Sequence, residues 1–265
     1  MIQMIRQIPE KYAANSSFGI SVERLPAEEL SAAFFQELTS RFSAAEVPYY
    51  LMENPLQMSG LQSVVASSLT DSGILENLSL NQEGLICECI TGISRNIRNL
   101  SERGISSGIL DFDLNSSFLK DREDLYLKIL KGFANVLEQS SFTILLPVSV
   151  PFVPDAGALQ ILYFLRRTLL PWVKIRLDVY CHELAPGYSP ENIAGPLFPE
   201  IRAIRFLYQA DSGNVLIPEH ILPWVGALAE FGFRGPYLFT PSALTLNGLP
   251  AWISSIENLM GKLEK

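Results

Sequence analysis

The chain has 265 residues and 48% apolar content, enough to bury one large core or two ordinary ones. Its 20 basic and 28 acidic residues leave a formal charge of −8, which argues against a nucleic-acid partner, since phosphate backbones are met by clustered basic surface. No stretch approaches the roughly 18 apolar residues of a membrane span, and MIQMIRQIPEKYAANSS lacks the apolar core of a signal peptide, so neither membrane insertion nor export is expected.

In chain order, short apolar strands alternate with amphipathic helices. SFGISVE (17–23) precedes AEELSAAFFQELTSRF, where Leu30, Phe34 and Leu38 recur at helical spacing. PYYLMEN (48–54) and GLICECI (84–90) are predicted as the second and third strands. The third is followed by the helix ISRNIRNLSERG, ending at Gly104. ILDFDL (109–114) precedes REDLYLKILKGFANVLEQ. FTILLPVSV (142–150) precedes GALQILYFLRRTLL, where Leu162, Leu165 and Leu169 fall on one face. VKIRLDVY (173–180) runs into CHELAPGYSP. AIRFLYQ (203–209) precedes HILPWVGALAEFG, with His220 at the helix start. PYLFTPS (236–242) precedes LPAWISSIENLMGKL.

Eight strand–helix units imply parallel strands joined by right-handed crossovers, and eight repeats suit closure into a single (β/α)8 TIM barrel over residues 1–265. A doubly wound open sheet is the alternative, but no Gly-rich phosphate loop follows the first strand. The cysteines, Cys87, Cys89 and Cys181, are odd in number and irregularly spaced. They suit a reducing, cytoplasmic setting better than a disulfide framework. On a strand, Cys87 and Cys89 would share a face and pack as small apolar groups. The basic groups Arg95, Arg98 and Arg103, and Arg166 with Arg167, read as solvated helix faces.

Period-two alternation carries the functional reading. In VKIRLDVY, Val173, Ile175, Leu177 and Val179 take one face, and Lys174, Arg176, Asp178 and Tyr180 the other. AIRFLYQ sets Arg205 and Gln209 against Ile204, Phe206 and Tyr208. In a barrel the apolar face meets the helices, so the polar face points inward. The expectation is a charged lumen with Arg176 and Arg205 on adjacent strands, and Glu23, Asp111, Asp113, Asp178 and Glu88 around them. Buried charges persist only when paired. Either these groups satisfy one another, or the upper ones line a ligand pocket at the C-terminal strand ends.

The order LDVYCHE, AIRFLYQADSGN, ALAEFGFRGPYLFTPS resembles the xylose isomerase-like TIM barrels, the sugar isomerases and epimerases, over most of the chain. GFRG (Gly232 to Gly235) looks like the turn that opens their last strand. The resemblance implies a divalent metal held by a Glu after strand five, an Asp on strand six, a His on strand seven and a Glu on strand eight, with carboxylates moving the proton. Only Asp178 is matched here. Strand five ends LPVSVP without an acid, strand seven ends Tyr208 and Gln209 without a His, and strand eight ends FTPS. His182 follows Asp178 by four residues, one more than the family interval. No metal site and no cofactor are therefore expected, with an improvised divalent-metal set of Asp178, His182, Glu183 and Asp211 as the alternative. Two histidines are too few for the zinc cluster of the related AP-endonuclease barrels.

The resemblance implies a sugar isomerase or epimerase acting on a small-molecule ligand. Glu23, Glu53 and Asp178 are the candidate acid/base groups, and Arg176, His182, Arg205 and Gln209 the candidate substrate-binding residues. The competing reading is a non-catalytic barrel binding a carbohydrate or a partner, with Tyr49, Tyr50, Tyr180, Tyr188, Tyr208 and Tyr237 as stacking or packing aromatics. Nucleophilic chemistry by Cys181 and His182 is disfavoured, because neighbours on an extended strand point apart.

Overall fold

The computed structural model describes residues 18–21, 44–49, 63–70, 72–114, 116–150, 155–180, 190–207 and 218–240, with residues 254 and 258. Eight parallel strands close into one barrel in chain order. They are β1 (Phe18–Ser21), β2 (Ala44–Pro48), β3 (Ser63–Ser67), β4 (Ser107–Ile109), β5 (Thr143–Val150), β6 (Val173–Tyr180), β7 (Ile201–Leu207) and β8 (Tyr237–Thr240). Closure is made by β1, which pairs with both β2 and β8. The described helices are α1 (Ser72–Asn77), α2 (Glu83–Glu102), α3 (Ser116–Gly132), α4 (Ala134–Ser140), α5 (Asp155–Thr168), α6 (Pro190–Leu197) and α7 (Pro218–Glu230).

The (β/α)8 barrel expected from the alternation is present, but two of its strands lie elsewhere in the chain, and β4 is SGI, ending at Ile109 where ILDFDL was expected to begin. The second strand is AAEVP, ending at Pro48, where PYYLMEN was expected to begin. The third is SVVAS, and GLICECI belongs to the helix α2. Physically, GLICECI continues into ISRNIRNL as one helical stripe: Ile86, Cys89, Ile93, Ile97 and Leu100 are buried at spacings of three and four. Cys87 therefore lies exposed while Cys89 is buried, and they do not share a face. Burial raises the pKa of the Cys89 thiol. Leu169 corrects the stripe expected on α5. It sits past the helix end with φ 57° and is 83% exposed, whereas Ala158, Ile161, Phe164 and Leu165 form the buried face.

Two helices stop by the same device. After α2, Gly104 takes φ +78°, its N–H donates to the Ser101 carbonyl, and the Ile105 N–H donates to Leu100. After α7, Gly232 takes φ +83°, with N–H bonds from Gly232 to Ala229 and from Phe233 to Leu228. The rest of GFRG makes a close approach: a Cβ on Gly235 would lie 2.3 Å from the Arg202 carbonyl oxygen. This turn delivers Tyr237 to β8, where it meets Phe233 edge-on at 5.2 Å and stacks with Phe206.

The main core lies between strands and helices and takes the outward strand residues, such as Ile144, Leu146, Val148, Ile175, Leu177, Val179, Ile204 and Phe206. A second apolar cluster, Val65, Ile109, Leu145 and Ala203, lies inside the barrel. Register confirms the sidedness: Ile109 pairs with Leu145, and Ala203 with Arg176.

Candidate active site

Strand alternation puts Arg176 and Asp178 on the lumen face of β6, two residues apart. Register sets Arg205 of β7 directly beside Asp178. The fourth member comes from β2, which stands opposite β6 in an eight-stranded ring: Glu46, fully buried. Arg176 donates from Nε to Asp178 Oδ1 (2.7 Å), from Nη2 to Oδ2 (2.9 Å) and from Nη1 to Glu46 Oε1 (2.8 Å). Arg205 repeats the pattern, with Nε to Oδ1 at 3.2 Å, Nη2 to Oδ2 at 2.6 Å and Nη1 to Glu46 Oε1 at 3.4 Å. Two guanidiniums thus fork onto one carboxylate and are bridged by a second.

The four charges cancel, which is what allows them inside: Arg176 is 1%, Asp178 2% and Arg205 6% exposed. Burial alone would raise the Asp178 carboxyl. The adjacent Arg176 and Arg205 outweigh it and hold the group below the usual carboxylate range. Burial and the like charge of Arg205 oppose protonation of Arg176, yet Asp178 and Glu46 carry its pKa upward. Asp178 is thus a fixed anion, and both guanidiniums are fixed cations.

Nearer the C-terminal strand ends the lumen changes character. Ser21, Ser67 and Thr240, the last residues of β1, β3 and β8, are fully buried, and their hydroxyls have no hydrogen-bond partner among the described residues. Beyond β4 and β5 a pocket of about 300 Å³ opens, lined by Asp111, Asp113, Pro147 and Ser149 among others. Phe112, between the two aspartates, turns outward and stacks on Tyr126 at 4.0 Å, which fixes the segment. Asp111 is half-buried and Asp113 exposed.

The structure therefore brings together three expected residues, Arg176, Asp178 and Arg205, and places Asp111 and Asp113 at the same end of the barrel. Glu88 does not join them, because it is exposed on α2. Glu46 is the residue missed. The signal for it was arithmetic, since two inward arginines beside one aspartate require a second acid. Glu23, Glu53, His182, Glu183, Gln209 and Asp211 lie outside the described residues. Of the aromatics, Tyr237 packs outward in the core and Tyr49 accepts a hydrogen bond from Asn99 Nδ2 at 3.3 Å.

The metal implied by the resemblance does not fit Asp178 as placed. Each of its oxygens accepts two charge-assisted hydrogen bonds, and a cation there would face two guanidiniums. Among the described residues no group of three or more His, Cys, Asp or Glu is gathered as a metal shell.

No protein-family profile matches the sequence, and no curated protein sequence matches it. Solved structures do match. The Escherichia coli 3-keto-D-glucoside 4-epimerase YcjR superimposes with a TM-score of 0.69 at 14% identity, over 93% of this chain and 99% of that one. D-psicose 3-epimerase, solved in the presence of D-fructose, gives a TM-score of 0.68 at 12% identity over 94% and 100%. A xylose isomerase domain protein from Planctomyces limnophilus gives 0.56 at 15% identity over 94% and 97%. The likeness is one of fold, a (β/α)8 barrel shared with these proteins over most of the chain, at a sequence distance that leaves function open.

Proposed function

We propose that this chain binds a neutral sugar at the C-terminal mouth of its barrel and interconverts its epimers or its aldo and keto forms. The observation that carries the reading is the oxygen-rich mouth: Ser21, Ser67, Thr240, Ser149, Asp111 and Asp113 all stand at the strand ends where (β/α)8 barrels build their sites. The epimerase structures that share the fold support the same substrate class.

Epimerisation beside a carbonyl needs one group to take a proton from carbon and another to return one on the opposite face. We assign that pair to Glu23 and Glu53, which follow β1 and β2 in the chain. Asp178, kept ionised by Arg176 and Arg205, is assigned an anchoring role below the sugar. The two arginines spend their forks on carboxylates and form the floor of the site. His182 and Gln209, which follow β6 and β7, are the remaining proposed sugar contacts. The free Cys87 and Cys89 support a cytoplasmic location.

A second reading, a sugar-binding barrel without turnover, is favoured by the saturation of Asp178. One experiment separates them. The protein is incubated with D-psicose, D-fructose or D-tagatose in D₂O and carbon-bound deuterium is followed by NMR. Deuterium incorporation that Glu23→Gln or Glu53→Gln abolishes is the expected result. Binding without exchange would leave the second reading, and neither binding nor exchange would remove both.

A further inference from the structure

We infer that Ser21, Ser67 and Thr240 form a hydroxyl subsite that takes oxygens of a neutral polyol at the C-terminal strand ends, beside the ion-paired cluster. The inference rests on the sugar-binding reading and specifies which groups do the recognising. Position comes first. Ser21 pairs in register with Glu46, and Thr240 with Leu207 of the strand that carries Arg205. Ser67 is two residues beyond the lumen residue Val65 and pairs with Pro48. All three side chains therefore face the lumen, Ser21 and Ser67 on the two strands that flank β2 and Thr240 on β8, each as the last residue of its strand.

Satisfaction is the second point. Buried hydroxyls in folded proteins are almost always hydrogen-bonded, and an orphan calls for water, a ligand or a functional reason. Three fully buried hydroxyls, each without a partner among the described residues, occupy one end of one lumen. Their chemistry selects the ligand class. A Ser or Thr hydroxyl both donates and accepts, and so does a sugar hydroxyl, so each contact can run in either direction. An anionic ligand would need a cation to answer it, and Arg176 and Arg205 in the same lumen are already engaged by Asp178 and Glu46.

A hydroxyl kept for a ligand and a hydroxyl that holds the fold together respond oppositely to deletion. Without sugar, Ser21→Ala, Ser67→Ala and Thr240→Val should melt at the wild-type temperature or above it, because an unanswered polar group is being removed. With D-psicose, D-fructose or D-tagatose the wild-type midpoint should rise by mass action, and each deletion should weaken sugar affinity about tenfold. Thr240→Ser keeps the hydroxyl and should keep the rise. A lowered midpoint without sugar in all three deletions would overturn the inference, since it would mean the hydroxyls are satisfied inside the protein. A sugar-induced rise that survives every deletion would overturn the subsite while leaving sugar binding intact. No rise in the wild type with any of the three sugars would remove both.

Discussion

Two neighbouring levels of the same lumen are built on opposite principles. Val65, Ile109, Leu145 and Ala203 fill one level with apolar groups. The adjacent level holds Glu46, Arg176, Asp178 and Arg205, with similarly low exposure, two guanidiniums paired with two carboxylates. The apolar level gains from burial in proportion to area and tolerates changes of shape. The ionic level gains little net free energy from being buried, because desolvation offsets the attraction, but it is far less forgiving of a missing partner. It also accepts only one register between β6 and β7, since a slip of one residue would turn Arg205 away from Asp178.

The largest expected effect follows from that asymmetry. Asp178→Ala leaves two buried guanidiniums sharing Glu46 and should cost about 3–5 kcal/mol in urea unfolding. A loss under about 1 kcal/mol would mean that water reaches the layer. The contribution of Asp178 should also fade in acid. Its folded pKa lies below the unfolded value of about 3.9, so its stabilisation is complete above that value and falls away as pH drops toward the folded pKa. The gap between wild type and Asp178→Ala should accordingly narrow below about pH 4.

Leu145→Ala tests the other level and should cost about 3 kcal/mol through lost burial and an unfilled cavity. Unlike the first variant, its loss should keep the same size between neutral and acid pH. A pH-dependent loss would show that the two levels are mechanically coupled and would break the distinction. Ile109→Val, which removes one methylene from the same cluster, should cost about 1 kcal/mol.

The halves of the barrel differ in how far they could be read from residues alone. β5 to β8 fall within about two residues of their expected positions. They are seven or eight residues long in three cases and alternate cleanly, and their apolar faces meet well-marked helices. β2 and β3 are AAEVP and SVVAS, five residues each and dominated by small side chains, so the stronger apolar runs nearby drew the reading away. Misplacing β2 hid Glu46, and with it the partner that turns an open-looking pair of arginines into a closed cluster. The hydroxyl level was illegible for a different reason. Ser and Thr at strand ends are ordinary residues, and only closure of the barrel shows that Ser21, Ser67 and Thr240 face one lumen without partners among the described residues.

The smallest expected effect belongs to an ionic contact outside the cluster, at the opposite end of β6. Lys174 shares the face of Arg176 and Asp178, but its Nζ meets Glu200 Oε2 at 2.5 Å where both side chains touch solvent, at 17% and 28% exposure. Solvent already stabilises these two charges when apart, so Lys174→Met should cost no more than about 1 kcal/mol. Salt then separates the two kinds of ion pair on one strand. Raising ionic strength from 0.1 to 1 M shortens the screening length from about 10 to 3 Å, which should erase the Lys174 contribution. The Asp178→Ala loss should survive, because mobile ions do not enter the sealed layer. Equal salt sensitivity of the two variants would mean that the ionic level is open to solvent, and the comparison of sealed with exposed charge would fail at that point.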